Sequence, residues 1–479
     1  MSFRSHFRDK QEWLNSTNGC INLNTSSDEA AKEYDAALTQ MCGWYEDPAL
    51  GGIEGTLDRM LRADNEFVLG RALELELSLM GGLTAPRLDA DLANKLESFN
   101  KLIEGRKQQG TLTDQEALHA ETVNCWAQSD LKGSTLKLER LVSLYPEDVL
   151  AVKMAEDTYF FLGQGMAMRN STASCVARLT QSGRSGSKNP LEGYVHGMMA
   201  FAFEESNMYP EAQREALKAL EMIPRDTWAI HNYAHCLEMQ AKSEEGLKWM
   251  LDRQPDWLPC QSLACHQYWH TALFHINNNQ FDEAVAILDE EVLTRCVTSC
   301  SSLDMHDGSS MIYRMELVDL FNKTGKTKPA NHRWDGVYKV CQPHKRDHLI
   351  GFNDAHFMMS FLGTGDLETA RELIETIDEV PTLNEGQTII KPLLEAMYKF
   401  KLGAHSECVE LLEPIRFELV KIGGSHAQRD VFEQLLLVAA LKSDKRAHNM
   451  LGERMLAERD TFHGRRMPQT ELLAKTVAA

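Results

Sequence analysis

The sequence predicts an all-α protein in which helix pairs repeat along the chain and stack into a superhelix (an α-solenoid) with helical capping segments. Apolar residues recur every three to four positions through most of the chain, which is the period of an amphipathic helix. Short polar turns separate these segments, and similar phrases return along the chain, which is typical of a repeat protein. A chain of 479 residues also exceeds one ordinary globular core, whereas a repeat array has no such limit.

The repeat unit is clearest around Asn207. Apolar residues recur on both sides of a short polar turn at Asn207, and the small residue Ala212 follows where two helices must approach closely. Pro224 then ends the second helix, because proline cannot continue it. Helix, turn, helix and proline within about 34 residues form the tetratricopeptide repeat (TPR) unit. Equivalent positions are separated by 34, 38 and 86 residues, the last fitting two longer units: Tyr209, Ser243, Phe281 and Leu367.

Each unit buries its apolar stripe against its neighbours, so one continuous elongated core is expected. We predict an N-terminal helical cap over residues 1–51, an irregular array of TPR-like helix pairs over 52–444, and a C-terminal helix and tail over 445–479. Insertions are expected around residues 183–190 and 324–333, where glycine, lysine and proline interrupt the pattern.

Composition and charge exclude several classes of protein. Hydrophobic residues make up 43% and charged residues 25% of the chain, the balance of a folded soluble protein. The formal net charge of −20, without a lysine or arginine block, disfavours nucleic acid and anionic membrane surfaces as partners. No apolar run of eighteen residues occurs, and no apolar core of signal-peptide length follows the basic residues at the start, so we expect neither a membrane span nor a signal peptide. The eleven cysteines include no CxxC pair. Cys296 and Cys300 lie four residues apart, but no second pair occurs at the spacing of a zinc ribbon. The sequence therefore predicts a cytoplasmic protein with reduced thiols.

Histidines with helical spacing occupy the first helices of neighbouring repeats. His231, His235 and Glu238 are spaced i, i+4, i+7, so they project from one face of a helix. His266 and His270 are again four residues apart in the next unit. In TPR arrays these positions line the concave groove, which is the surface that solenoids offer to partners. We predict the following ligand-binding residues: His231, His235, Glu238, His266, Trp269, His270, Asp354 and His356.

Three interpretations of these residues remain open. Two histidines at i, i+4 with a carboxylate and a further histidine can ligate a divalent metal such as zinc or iron. Glu238 or Asp354 can instead orient a histidine for acid/base chemistry or for holding an anion. In the third interpretation, the side chains satisfy one another's hydrogen bonds between packed helices.

The leading functional hypothesis is a binding protein without a cofactor, whose groove holds a peptide, a partner segment or a small polar ligand. The alternative is an enzyme of hydrolase or lyase type, built on the same scaffold, that uses metal-assisted or acid/base chemistry on a small molecule. The residues of the alternative are His231, His235, Glu238, His266, His270 and His356.

Five phrases are more specific than a generic repeat. They are LGGIEG from Leu50, WAIHNYAH from Trp228, LACHQYWH from Leu263, FNDAHF from Phe352 and GGSHAQRD from Gly423. In this order and at these separations the chain resembles the tetratricopeptide repeat protein 38 family, from about residue 28 to beyond residue 451. The resemblance implies a TPR-type fold. Within the last phrase, Arg429 and Asp430 are interpreted as a capping ion pair at the end of the array.

Overall fold

Every regular element of the described residues is helical, which confirms the all-α prediction for that part of the chain. The computed structural model describes residues 4–17, 19–80, 84–184, 189–319, 331–380, 387–463 and 468–475. None of the described helices combines the length and the apolar character that crossing a bilayer requires.

The first twelve helices follow one another through short connections. Their bounds are α1 Lys10–Ser16, α2 Asp28–Gly43, α3 Gly52–Ala63, α4 Val68–Met80, α5 Ala90–Gln109, α6 Asp114–Ala127, α7 Leu131–Leu144, α8 Val149–Phe161, α9 Gly165–Arg184, α10 Glu192–Glu204, α11 Tyr209–Met222 and α12 Thr227–Met239. A 3-10 turn over Pro48–Leu50 precedes α3.

The later helices include one π-helical segment, Leu288–Val292, between α16 and α17. Their bounds are α13 Ser243–Asp252, α14 Gln254–Trp257, α15 Gln261–Asn277, α16 Phe281–Ile287, α17 Leu293–Ser299, α18 Ser302–Leu317, α19 Asn331–Cys341, α20 Gly351–Thr364, α21 Leu367–Thr376, α22 Gln387–Lys401, α23 His405–Leu412, α24 His426–Lys442, α25 Arg446–His463 and α26 Pro468–Lys475. The 3-10 segments are Gln342–His344, Ile377–Glu379 and Glu413–Ile422.

The chain divides into two compact units, each assembled from more than one segment. In the first unit α6 packs on α7 and α10 on α11, and in the second α22 packs on α23 and α24 on α25. The predicted boundaries after residues 51 and 444 stay predictions, and the predicted insertions at 183–190 and 324–333 lie largely outside the described residues. The first unit comprises residues up to 160, 164–236 and 253–264; the second comprises 161–163, 237–252 and those from 265 onward.

The turns within the helix pairs share a residue in the left-handed region of backbone space. The turn predicted at Asn207 lies between α10 and α11, and Ala212 on α11 is fully buried, as the close approach of two helices requires. A residue in the left-handed conformation ends a helix and lets the backbone N–H groups that follow donate to the last carbonyls of that helix. Gly and Asn adopt this conformation at the lowest cost in free energy. The positions have φ between +56° and +81°: Ser129, Gly163, Asn207, Ala241, Asn279, Gly365 and Gly403.

The core of the first unit contains a buried cluster of two carboxyl groups and an imidazole. His119 on α6 lies with Nδ1 3.3 Å from Glu76 Oε1 and Nε2 2.9 Å from Asp148 Oδ2, and all three side chains are buried. Burial disfavours the imidazolium, but the carboxylates of Asp148 and Glu76 outweigh it and raise the pKa of His119 to about 10. The cluster therefore ties α4, α6 and the start of α8 together through a charged histidine.

The core of the second unit instead buries two neutral imidazoles. His306 Nε2 donates to Asn353 Oδ1 at 2.7 Å, and His356 Nδ1 donates to the carbonyl oxygen of Phe352 at 2.7 Å. Burial lowers the pKa of His356 to about 4, and burial together with His356 lowers the pKa of His306 well below its ordinary value. Because the folded state resists protonation here, acid must destabilise this unit.

The second unit is therefore expected to lose on the order of 2–3 kcal/mol of stability through His356 as the pH falls from 6.5 to 4. Unfolded His356 takes up its proton near pH 6.5 and the folded form near pH 4, so the unfolded state binds more protons between these values. Urea unfolding of the wild-type chain and of His356→Gln at pH 7 and pH 4.5 measures the effect. The glutamine variant should show the smaller loss, and equal losses in both proteins would contradict the assignment.

Candidate functional site

Two of the predicted residues, His231 and His235, lie in the first unit on α12. Their Nε2 atoms are 3.0 Å apart, so the two rings share a single hydrogen between them. The ring of His231 stacks on Trp228 at 4.8 Å, and His235 Nδ1 lies 3.8 Å from Glu204 Oε2. The i, i+4 spacing does bring the rings together, and both are buried.

Glu238, at the end of α12, pairs with His270 of α15 inside the second unit. Glu238 Oε2 lies 2.8 Å from His270 Nδ1, and the imidazole is fully buried whereas the carboxylate is partly exposed. The histidine thus fixes the orientation of a carboxylate that reaches a solvent-facing surface.

His266 and Trp269 form the next part of the predicted set, also on α15. His266 Nδ1 donates to Asp307 Oδ1 at 2.7 Å, and its ring lies parallel to the indole of Trp269 at 5.3 Å. Trp269 Nε1 donates to Ser310 Oγ at 3.1 Å. Both rings are buried, and their polar partners lie on α18.

Asp354 and His356 lie on α20 and are buried as well. Asp354 Oδ1 is 3.3 Å from His348 Nδ1, while His356 bonds to its own helix. With the exception of Glu238, the eight predicted side chains are therefore enclosed by packed helices, and their hydrogen bonds resemble those of the third interpretation above. Their role as ligand-binding residues stays a prediction.

The second unit contains an open pocket of about 540 Å³, and Glu238 is the predicted residue that lines it. Met239 and Asn277 line it as well, and the rest of the wall comes from the 3-10 segment Glu413–Ile422 and from α24, α25 and α26. We call it the C-terminal pocket and define it by its charged and aromatic lining: Glu238, Arg416, Phe417, His426, Arg429, Asp430, Glu433, Glu458, Arg459 and Phe462.

Ion pairs order the wall of the C-terminal pocket. Arg416 binds two carboxylates, with Nε 3.0 Å from Glu433 Oε2 and Nη2 2.7 Å from Glu458 Oε2. Asp430 is held by Arg459 and by the buried Arg314, whose Nη1 lies 3.2 Å from Oδ2. Burial alone would raise the pKa of Asp430, but these two guanidinium groups hold it well below its usual range. Burial raises the pKa of Glu433.

Two phenylalanines at the pocket present large apolar surfaces to solvent. Phe417 is 79% exposed and Phe462 is 54% exposed, and the guanidinium of Arg416 lies 5.0 Å from the ring centre of Phe417. Aromatic side chains combined with a few charged groups at a concave pocket are typical of binding sites.

Arg314 connects the pocket to the predicted residues. Its guanidinium lies 5.5 Å from the ring centre of Trp269, which in turn stacks on His266. Arg314 also donates to the backbone carbonyls of Ala427 and Gln428, which lie between the pocket residues His426 and Arg429 on α24. The pocket and the Trp269 stack are thus parts of one polar network within the second unit.

Sequence reasoning missed most of the pocket. The sequence predicts a capping ion pair of Arg429 and Asp430, whereas the structure pairs Asp430 with Arg314 and Arg459. The phrase Gly423–Asp430 carried the available signal, because it is rich in polar residues that the repeat does not need. Phe417 and Phe462 are a second signal in the sequence, because each is an aromatic residue among charged residues in a helical segment.

Comparison with solved structures finds likenesses that cover most of the chain. No family model matches the sequence. The chain is similar to the APC/C hetero-tetramer Cut9–Hcn1, at 10% identity over 88% of this chain and 87% of that chain, with a TM-score of 0.33. It is also similar to the TPR domain of P58(IPK), at 14% identity over 78% of this chain and 99% of that chain, with a TM-score of 0.20. Likenesses this distant say nothing about function, and membership of the tetratricopeptide repeat protein 38 family stays a prediction.

Proposed function

We propose that the protein is a binding protein and that its C-terminal pocket takes a basic segment of a partner protein. The observation that carries the proposal is the pairing of two exposed phenylalanines, Phe417 and Phe462, with a wall rich in carboxylates. A lysine or arginine side chain suits both surfaces, because its charge is attracted to carboxylates and to the faces of aromatic rings.

The charge balance of the lining supports a cationic ligand. Four carboxylates, from Glu238, Asp430, Glu433 and Glu458, stand against three guanidinium groups from Arg416, Arg429 and Arg459. Asp430 is paired with Arg459 and Arg314, whereas Glu433 and Glu458 share the single guanidinium of Arg416, so the excess of carboxylates lies beside Arg416 and Phe417. The net charge of −20 also favours a basic partner, because it attracts that partner over longer distances and raises the rate of association.

A second candidate, an enzyme using acid/base chemistry in the same pocket, is favoured by the pair of Glu238 and His270. In that case the carboxylate of Glu238 would accept a proton from a substrate while His270 holds it in orientation. Full burial keeps the imidazole of His270 away from any ligand in the pocket, which is why binding is our first proposal.

The proposal is tested by fluorescence anisotropy with the full chain and three labelled peptides of equal length and apolar content. Their variable positions carry lysine and arginine, serine, or glutamate. We expect the basic peptide to bind at least about tenfold more tightly than the serine peptide, a difference of about 1.4 kcal/mol. Its affinity should fall as salt is added, because the attraction is electrostatic. Equal or tighter binding of the glutamate peptide would overturn the proposal.

A further inference from the structure

A thiol and two carboxyl groups meet in the interior of the second unit, apart from the C-terminal pocket. Cys265 comes from α15, and Asp304 and Asp307 lie on α18 one turn apart, so both face the same side of that helix. One ligand atom from each of the three residues lies within 4.8 Å of the others, and all three side chains are buried.

The cluster has fewer protons than acceptors. The Cys265 thiol is placed to donate to Asp304, to Asp307 and to the carbonyl oxygen of Val292, yet it carries one proton. Asp307 Oδ1 already accepts from His266, and its other oxygen, Oδ2, receives no N–H or O–H bond from the described residues. A buried carboxylate oxygen without a donor costs free energy, and a cation placed between the three groups removes that cost.

We propose that Cys265, Asp304 and Asp307 bind a divalent transition-metal ion, with zinc as the best match. A thiolate combined with carboxylates suits zinc and disfavours calcium and magnesium, which take oxygen ligands. Ligand atoms around a tetrahedral zinc lie roughly 3.5 Å apart, so the three donors reach ligand distance by moving about 1 Å closer together, and a water molecule takes the fourth position. On binding, the S–H bond of Cys265 breaks, its proton passes to solvent and a sulfur–metal bond forms.

The surroundings supply a contact that orients Asp307 and a polar contact that links Asp304 to an exposed residue. His266 holds Asp307 Oδ1 in place, which leaves Oδ2 for the ion, and such outer contacts commonly orient metal ligands. Asp304 lies near the surface, where its Oδ2 accepts from Ser299 Oγ at 2.6 Å. Cys300, the residue after Ser299, is exposed, so solvent reaches the end of α17 next to Ser299.

The test is a Co²⁺ titration of the full chain, purified without a metal-affinity tag and stripped with a chelator. Co²⁺ bound to a thiolate gives a charge-transfer absorption that histidine or carboxylate ligands alone do not give. We expect one equivalent to produce this absorption in the wild-type protein and in Cys408→Ser, which removes another buried thiol of the second unit. Cys265→Ser should abolish the absorption, and added Zn²⁺ should displace the Co²⁺.

A second variant keeps the test decisive if Cys265→Ser fails to fold. Asp307→Asn preserves shape and removes a buried charge, and it should weaken Co²⁺ binding by more than about 100-fold, beyond the 10–100-fold typical of outer-shell changes. No thiolate absorption in the wild-type protein, or an absorption that survives in both variants, would overturn the assignment. None of these residues lines the C-terminal pocket, so the result does not depend on peptide binding.

Discussion

Replacing His119 by alanine is expected to lower the free energy of unfolding by about 3–5 kcal/mol, the cost of removing one partner from a buried ion pair. The imidazolium sits between Glu76 and Asp148, and its removal leaves both carboxyl groups in the interior without their cation. Gln115 remains bonded to Asp148, but a neutral amide cannot replace the charge. The effect should appear in urea unfolding of the full chain as a loss of the first unit's structure at lower denaturant.

His6 provides the matched control for His119. It forms a histidine–carboxylate contact of similar length with Glu12, at 2.9 Å, but both side chains are largely exposed. His6→Ala should therefore change the free energy of unfolding by no more than about 1 kcal/mol. Similar losses in both variants would show that burial of His119 is not what makes the contact matter.

The same cluster predicts weakening at alkaline pH. Unfolded His119 releases its proton near pH 6.5, whereas the folded protein holds it until about pH 10. The stabilisation is therefore complete below pH 6.5 and is lost as the pH rises toward 10. His119→Ala should remove this part of the pH dependence, and an unchanged alkaline slope would contradict a charged His119.

Replacing Arg314 by methionine is expected to cost about 3–5 kcal/mol as well. The substitution keeps most of the side chain's length but removes the charge beside Asp430 and the donors to the carbonyls of Ala427 and Gln428. Buried carbonyls that lose their donors add to the cost. Arg459 still binds Asp430, so the fold should survive while the C-terminal pocket loses its ordered wall.

Urea unfolding and peptide binding together measure the effect of Arg314→Met. Arg346→Met is the control, because Arg346 pairs with Glu372 at 2.6 Å on the exposed surface of the same unit. The control should unfold at the wild-type urea midpoint and bind peptide normally. If Arg314→Met were as stable as the control, the buried network behind the pocket would not contribute to the free energy of unfolding, which would contradict this prediction.

Much of the fold follows from local sequence rules. The helix pair around Asn207 was predicted because its turn residue, its small contact residue and its closing proline all appear in the sequence, and the structure confirms all three. Ser129 and Ala241 have the left-handed conformation in equivalent turns, but serine and alanine do not predict such a turn from the sequence. There the contacts between helices impose a conformation that the residue does not prefer on its own.

The candidate site was predictable only in part. Spacing along a helix placed His231 beside His235, because i, i+4 neighbours must share a face. Spacing gave no information on burial, which depends on the helices that pack over that face. The C-terminal pocket combines Glu238 with Arg416, Asp430 and Arg459, which lie far apart in the chain, so no local pattern joins them.

The most direct test of the central claim is the affinity of the basic peptide for the double variant Phe417→Ala/Phe462→Ala. Both rings are exposed, so their loss should leave the melting temperature unchanged while binding weakens at least about tenfold. The control is the double variant Leu402→Ala/Val297→Ala, which removes two exposed apolar side chains of the same unit that do not line the pocket. It should bind the peptide like the wild type. Wild-type affinity in the phenylalanine variant, or equal weakening in the control, would contradict the assignment of the C-terminal pocket as the binding site.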